Sequence, residues 1–346
     1  MVESRKKEKT VSSESIIQEA ISITIKENEY GLRLLALRDI CQDLSKAGEI
    51  EKALDMVKEM GKLSVFLNPE TVSEERTFAL SNISKALVEI GEMERAKEIT
   101  KEVLRIAEGS GGEALGNICG VLARIGEVEK ALDIVEEVNE VILPSALSGI
   151  SEQLIKIGKI EKAKEVLIKA LDAARIISSD IYRISALSDV SVALAKAGEL
   201  EKAKRVIEDA LGIAVEVHDR SKYDTSHVFA LLDVVEALAG IGEIERALDI
   251  AKEVNLNRAR VHAFSNVSEA LIKDRKIEKA KQIIKEALNI TKRLSVDWVR
   301  SVALSKIYVA LRLIEQAQGP ISVDMKEELK KEEQPKKRGF FKKLFG

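Results

Sequence analysis

The chain is 346 residues long, carries a net charge of −3, and is 33% charged, 45% hydrophobic and 3% aromatic. A core of Leu, Ile, Val and Ala under a Glu/Lys cover is the composition of a long helical protein, and two cysteines, Cys41 and Cys119, exclude a disulfide scaffold. No apolar run approaches the roughly 18 residues of a membrane span, and the opening MVESRKKEKT has no apolar stretch behind its lysines, so it does not read as a signal peptide.

In chain order, residues 1–29 read as a tail and a helix over 14–27 that lacks a partner sequence and would cap the array that follows. A repeat fills 30–319. Its first half is Ala-Leu-x-x-Ile-x-x-x-Leu, beginning with ALRDICQDL at Ala36, and its second half begins GEIEKA at Gly48. The second half returns as GEMERA at Gly91, GEVEKA at Gly126, GKIEKA at Gly158, GELEKA at Gly198, GEIERA at Gly242 and a degenerate RKIEKA at Arg275. An eighth first half, ALSKIYVAL from Ala303, is followed by no second half. Residues 320–346 read as a Lys/Glu-rich linker and a basic tail.

Each unit reads as two antiparallel helices. Leu80, Ile83 and Leu87 lie at i, i+3 and i+7 on one apolar face, and the small residue after the Ile (Cys41, Ser84, Cys119, Ser151) lets a neighbouring helix approach. The glycine ends the first helix by adopting positive φ, and the glutamate that follows suits the positive end of the next helix. Second helices that continue Ala-Leu-Asp are expected to be short and those that continue Ala-Lys long. Neither helix buries its face alone, so the units must stack.

The pattern resembles the tetratricopeptide repeat over residues 30–315. Leu37 and Leu80 stand at that family's large position, Ile40 and Ile83 at its leucine, and Ser84 or Cys41 at its small glycine. Its late alanine is matched by Ala53, Ala96, Ala131, Ala163, Ala203, Ala247 and Ala280. The near absence of aromatics, the missing closing proline and the variable unit length depart from it. KAGEIEKALDMVKEM also resembles the RNA-reading pentatricopeptide family, against which the irregular unit length and acidic body argue. The resemblance implies an all-α, right-handed α-solenoid of about seven stacked helix–turn–helix repeats with capping helices, whose first helices line a concave groove. It implies a non-catalytic cytoplasmic scaffold that binds a protein or peptide segment there.

It also places the residue two after the large Leu or Phe in the groove: Asp39, Asn82, Asn117, Gly149, Asp189, Asp233 and Asn266. Six positions earlier, Arg33, Arg76, Arg183, Arg260 and Arg300 recur. Two compatible readings follow: these ladders tie neighbouring units together, or they hold a partner's backbone. Gly112, Gly116 and Gly120, with Ser145, Ser148 and Gly149, leave one stretch bare, for close helix packing or for a partner's backbone. His218, His227 and His262 are scattered with no metal-ligand spacing, and no phosphate loop or catalytic constellation is present. No metal, cofactor or enzymatic activity is expected.

The end, KKRGFFKKLFG, carries +5, which leaves −8 on the other 335 residues. That acidic body disfavours nucleic acid as its partner, and its Glu/Lys abundance suits the ion-pair networks of thermophiles. In the tail, Phe340, Phe341, Leu344 and Phe345 form one stripe of a short helix, with Lys336, Lys337, Arg338, Lys342 and Lys343 around it. This reads as an anchor to an anionic membrane at the inner face. A contact with the solenoid's own end, and docking on a DNA sliding clamp through Gln334 and the phenylalanine pair, are the alternatives.

Overall fold

The computed structural model describes residues 12–107, 119–136, 138–220, 226–254 and 256–318, without the side chains of 107, 218–220, 226, 227 and 229. No strand occurs among them. The helices are α1 (Ser13–Ile25), α2 (Tyr30–Lys46), α3 (Ile50–Lys62), α4 (Pro69–Glu89), α5 (Met93–Ala107) and α6, described over 119–124. They continue as α7 (Val128–Val135), α8 (Leu143–Lys156), α9 (Ile160–Ile176), α10 (Asp180–Lys196) and α11 (Leu200–Arg220). The last are α12 (Ser226–Gly240), α13 (Ile244–Glu253), α14 (Asn257–Lys273), α15 (Ile277–Thr291) and α16 (Asp297–Gln318).

The turns form as the sequence predicts. Gly48, Gly91, Gly126, Gly158, Gly198 and Gly242 all have φ between 77° and 95°, and Arg275 in the degenerate copy is forced to φ 59°. Each turn closes with a bond across the helix end, such as Glu49 N–H to Leu44 O at 2.9 Å, which satisfies an otherwise orphaned carbonyl. The late alanines are fully buried, and Ala53, Ala96 and Ala163 accept at their carbonyls from Cys41 Sγ at 3.5 Å, Ser84 Oγ at 3.0 Å and Ser151 Oγ at 3.1 Å, whereas Ser191 and Ser268 donate within their own helices. Helices α7 and α13 have 8 and 10 residues against 17 in α9 and 21 in α11, as expected of short and long second helices, but α3, expected short, has 13 and runs on into a 3-10 turn over Leu63–Val65, close to the 15 of α15.

The first helices of the units, even-numbered, form an inner layer: α2 packs on α4, and from α8 to α16 each packs on the next. The second helices form an outer layer. Where α6 meets α8 the backbones approach closely, since a Cβ on Gly149 would stand 3.4 Å from Gly120 Cα. Close helix packing is therefore the use of that glycine pair; Gly112 and Gly116 lie outside the described residues.

The array does not stay open. Helix α16 packs on α2 as well as on α14, and α1 packs on α16. The two expected capping helices thus cap each other, and the solenoid closes into a ring of eight inner helices. Helix α1 serves as the missing second half of the eighth unit. It buries Ser13, Ile16, Ile17, Ala20 and Thr24, the spacing at which α15 buries Ala280, Ile283, Ile284, Ala287 and Thr291. The two sequences, IIQEAISIT and IIKEALNIT, are near copies. An outer belt of ion pairs links successive second helices, and Lys52–Glu14 at 2.9 Å carries it from α3 onto α1.

Candidate functional site

Ring closure turns the expected groove into a lumen. The polar ladder lies on the inner helices and makes contacts between units. Asp189 on α10 accepts from Ser145 Oγ on α8 at 2.5 Å, and Asp233 on α12 accepts from Ser185 on α10. Asn266 on α14 donates to Glu236 on α12 at 3.0 Å, and Asp39 on α2 stands 3.7 Å from Arg258 on α14. Asn82 instead donates to Phe78 O one turn back in its own helix, at 3.1 Å. Asn117 lies outside the described residues.

The arginine ladder parts from it. Arg183 donates to Ile177 O at the end of α9, at 2.9 Å, and Arg260 to Val254 O at the end of α13, at 2.7 Å. Arg300 pairs with Glu19 on α1, Arg33 stands 3.8 Å from Glu59 on α3, and Arg76 lies against Gly61 of α3. All five sit at the junction between an inner helix start and an outer helix end. There Arg183 and Arg260 satisfy carbonyls at the end of an outer helix and Arg300 and Arg33 pair with carboxylates, while the buried Nε of Arg33 and of Arg76 has no hydrogen-bond partner.

Further turns of the inner helices add charge that the ladder alone does not reveal. Glu236 and Glu269 lie three residues after Asp233 and Asn266, Lys85 three after Asn82, and Lys46 seven after Asp39. These groups interact around the ring. Burial opposes charge on Lys46, but Glu236, Glu269, Asp43 and Glu89 outweigh it and hold its pKa above the ordinary range. Desolvation and the nearby Arg124 push Lys85 down, and desolvation lowers Arg124. Desolvation, with Glu236 adding to it, raises Asp189 to about 6, although its face is open to lumen solvent. Half-buried Asp233 is raised to about 7 by desolvation and by the neighbouring Asp189 and Glu236. Desolvation also raises Glu269. The lumen thus concentrates carboxylates (Asp189, Asp233, Glu236, Glu269) on α10, α12 and α14, and Lys46, Lys85 and Arg124 on α2, α4 and α6, with Asp39 on α2 and Arg258 on α14 breaking the division.

A cavity of about 240 Å³ opens between α2, α12, α14 and α16, lined by Arg38, Asp39, Gln42, Asp233, Arg258, His262 and Lys306 among others. Desolvation and the cations Lys306, Lys46 and Arg258 hold His262 well below its usual pKa, hence neutral at pH 7. Arg258 stacks on Trp298 at 4.5 Å. Cys41 and Cys119 are buried, and burial pushes both thiols up to about 12, so neither is a nucleophile at neutral pH. Among the described residues no cluster of three or more His, Cys, Asp or Glu could hold a metal ion, and no helix is long and apolar enough to cross a membrane.

The PPR repeat family model matches residues 44–65, the end of α2 and all of α3. No curated protein matches. Among solved structures, the putative kinesin light chain TPR-like repeats of Podosopora anserina are 12% identical, covering 72% of this chain and 100% of that one, with a TM-score of 0.30. The chain is an all-α helical-repeat protein. Ton1535 from Thermococcus onnurineus NA1 is 18% identical over 76% of this chain and 96% of that one, with a TM-score of 0.30. A Rap protein complexed with competence and sporulation factor is 14% identical over 77% of each chain, with a TM-score of 0.35.

In this helical-repeat ring the ladder has an eighth member, Lys306, where the other units carry Asp, Asn or Gly. It was legible as the fourth residue of ALSKIYVAL. The tail residues Lys336 to Phe345 lie outside the described residues.

Proposed function

We propose that the ring is a non-catalytic interaction module that takes a segment of a partner polypeptide into its lumen. The observation that carries this reading is the cluster of inner carboxylates Asp189, Asp233 and Glu236 on α10 and α12, with Asp189 bonded by Ser145 at 2.5 Å, Asp233 by Ser185 and Glu236 by Asn266 at 3.0 Å. A desolvated carboxylate gains most from a cation placed beside it. A lysine or arginine side chain, or a free amine, supplies one, whereas RNA phosphate would meet repulsion from these carboxylates. Fluorescence anisotropy with two labelled peptides of equal length, one bearing Lys and Arg and one bearing Glu, tests the reading. The cationic peptide should bind, and Asp189→Asn/Asp233→Asn should weaken it about tenfold with helical circular dichroism unchanged. Equal binding of both peptides, or an unaffected variant, would overturn it.

The tail is proposed as a reversible attachment to an anionic membrane. Five cations at about 1 kcal/mol each act beside the phenylalanine stripe. Binding of the full chain to anionic vesicles should fall with salt without vanishing, since apolar insertion is not screened, and Phe341→Asp should abolish it at every salt concentration. A full chain that ignores such vesicles at low salt sinks this reading. Loss of a protein contact on changing Gln334 or Phe340 would point to clamp docking instead.

A further inference from the structure

Every seam of the ring but one joins units consecutive in the chain; the exception joins α16 to α1 and α2. At that seam the repeat breaks its own pattern twice. Where unit one carries Asp43, the other seven units carry alanine five times, Val121 and Gln153. Where the other units carry Asp, Asn or Gly, unit eight carries Lys306. The two departures meet. Lys306 Nζ lies 2.8 Å from Asp43 Oδ1, and Ser305 Oγ donates to Asp43 Oδ2 at 2.6 Å. The carboxylate side chain is 1% exposed and the lysine side chain 10%.

A buried ion pair is a poor source of net stability compared with packed apolar groups, but it is costly to mismatch. Its best-attested use is to set register among otherwise similar helices, and eight near-equivalent inner helices present that problem. Alanine at either position would let α16 stack on any unit's open side. The outer layer adds a matched set at the same seam: Ser13 Oγ donates to Glu315 at 2.8 Å, and Arg312 bridges Glu49 and Glu315 at 3.0 Å each. Only residues 26–29 separate α1 from α2, so the two helices dock on α16 together.

We infer that this seam is an addressed interface. The α16 face accepts the chain's own 13–46 end, with Asp43–Lys306 as the address, and exchange with the same end of a second copy is a consequence that the test reads. The inference stands apart from the lumen reading, since it concerns the wall of the ring and not its contents.

Cysteines placed by Ser13→Cys and Glu315→Cys in the full chain report closure as an intrachain crosslink. Cys41 and Cys119 are fully buried and should not compete. In this background Asp43→Lys or Lys306→Asp alone should cut the intrachain product about a hundredfold. The double variant Asp43→Lys/Lys306→Asp should restore it. Mixing the two single variants should give interchain crosslinks, because each chain's misaddressed end then meets a complementary one on the other. The address is refuted if the single variants crosslink like the parent, or if the double variant, which guards against a mere folding defect in the singles, recovers nothing. The second-copy part is refuted if the mixture yields no interchain product beyond either variant alone.

Discussion

Asp233→Asn should stabilise the ring increasingly above about pH 4, and most at neutral and alkaline pH. The folded carboxyl titrates at about 7 because desolvation, Asp189 and Glu236 disfavour its charge, while the unfolded group titrates near 3.9. The folded state therefore holds the proton more tightly. Asp233's contribution is fully present below about pH 4, declines as pH rises through the unfolded and then the folded pKa, and is lost above about pH 7. The gap between the two titrations corresponds to roughly 4 kcal/mol at most; for a half-buried group screened by lumen water, about 1–3 kcal/mol is the reasonable range. Asparagine keeps the size and an acceptor for Ser185 but carries no charge. Denaturant unfolding of both proteins from pH 4 to 9 should show a difference near zero at pH 4 that opens to a plateau by about pH 8. A difference independent of pH, or a wild type more stable than the variant at pH 8, would refute the placement of Asp233 in a desolvated carboxylate cluster.

Ala163 is fully buried where α9 crosses α8, so Ala163→Leu should overpack the crossing and lower unfolding free energy by about 1–3 kcal/mol in a urea titration. Arg275→Gly should do the reverse. Arg275 holds φ 59° in a turn whose six counterparts are glycine, and relief of a left-handed conformation, less the entropy glycine loses, leaves about 0.5–1 kcal/mol of stabilisation measurable as a raised melting temperature.

What could be read in the sequence was whatever is fixed locally. Gly198 with positive φ, Ala203 at the crossing and Glu201 in the first turn of α11 all follow from one unit's own chemistry. The resemblance implies an inner-face position for Asp189 and Asp233, but not their raised ionisation, which depends on desolvation and on Glu236 of the neighbouring helix. The arginines follow the first of their two readings, bonds between neighbouring units, and not the lumen-facing one. Recurrence at a fixed position marks a shared environment, and for Arg183 and Arg260 that environment is an outer-helix carbonyl rather than the lumen. Helix α1 reads as a cap in the sequence because no GEIEKA motif opens it. That motif is turn chemistry, needed only where a second helix follows its first in the chain; α1 follows no first helix, and its kinship with α15 lies in the buried face alone. Closure itself was invisible because it joins residues 262 and 302 positions apart.

That separation bears on how the ring opens. Contacts between consecutive units, such as Ser145–Asp189, span 44 residues, whereas Ser305–Asp43 spans 262. Loop-closure scaling makes the seam roughly 1.5 kcal/mol more expensive than a neighbour contact, and it can form only once the intervening units have set the curvature. Helix α1 has 13 residues, a length at which an isolated helix is marginal in water, so once off α16 it should not persist. The seam should therefore be the first contact to open and the last to form. In native-state hydrogen exchange the amides of α1 should exchange through an opening smaller than global unfolding, while those around buried Ile184 and Val190 in α10 should exchange only through the global one. Asp43→Asn should lower the protection of α1 first and leave α10 almost untouched. If α1 amides instead share the protection of α10 and respond equally to that substitution, the ring unfolds as one unit and the seam has no separate stability.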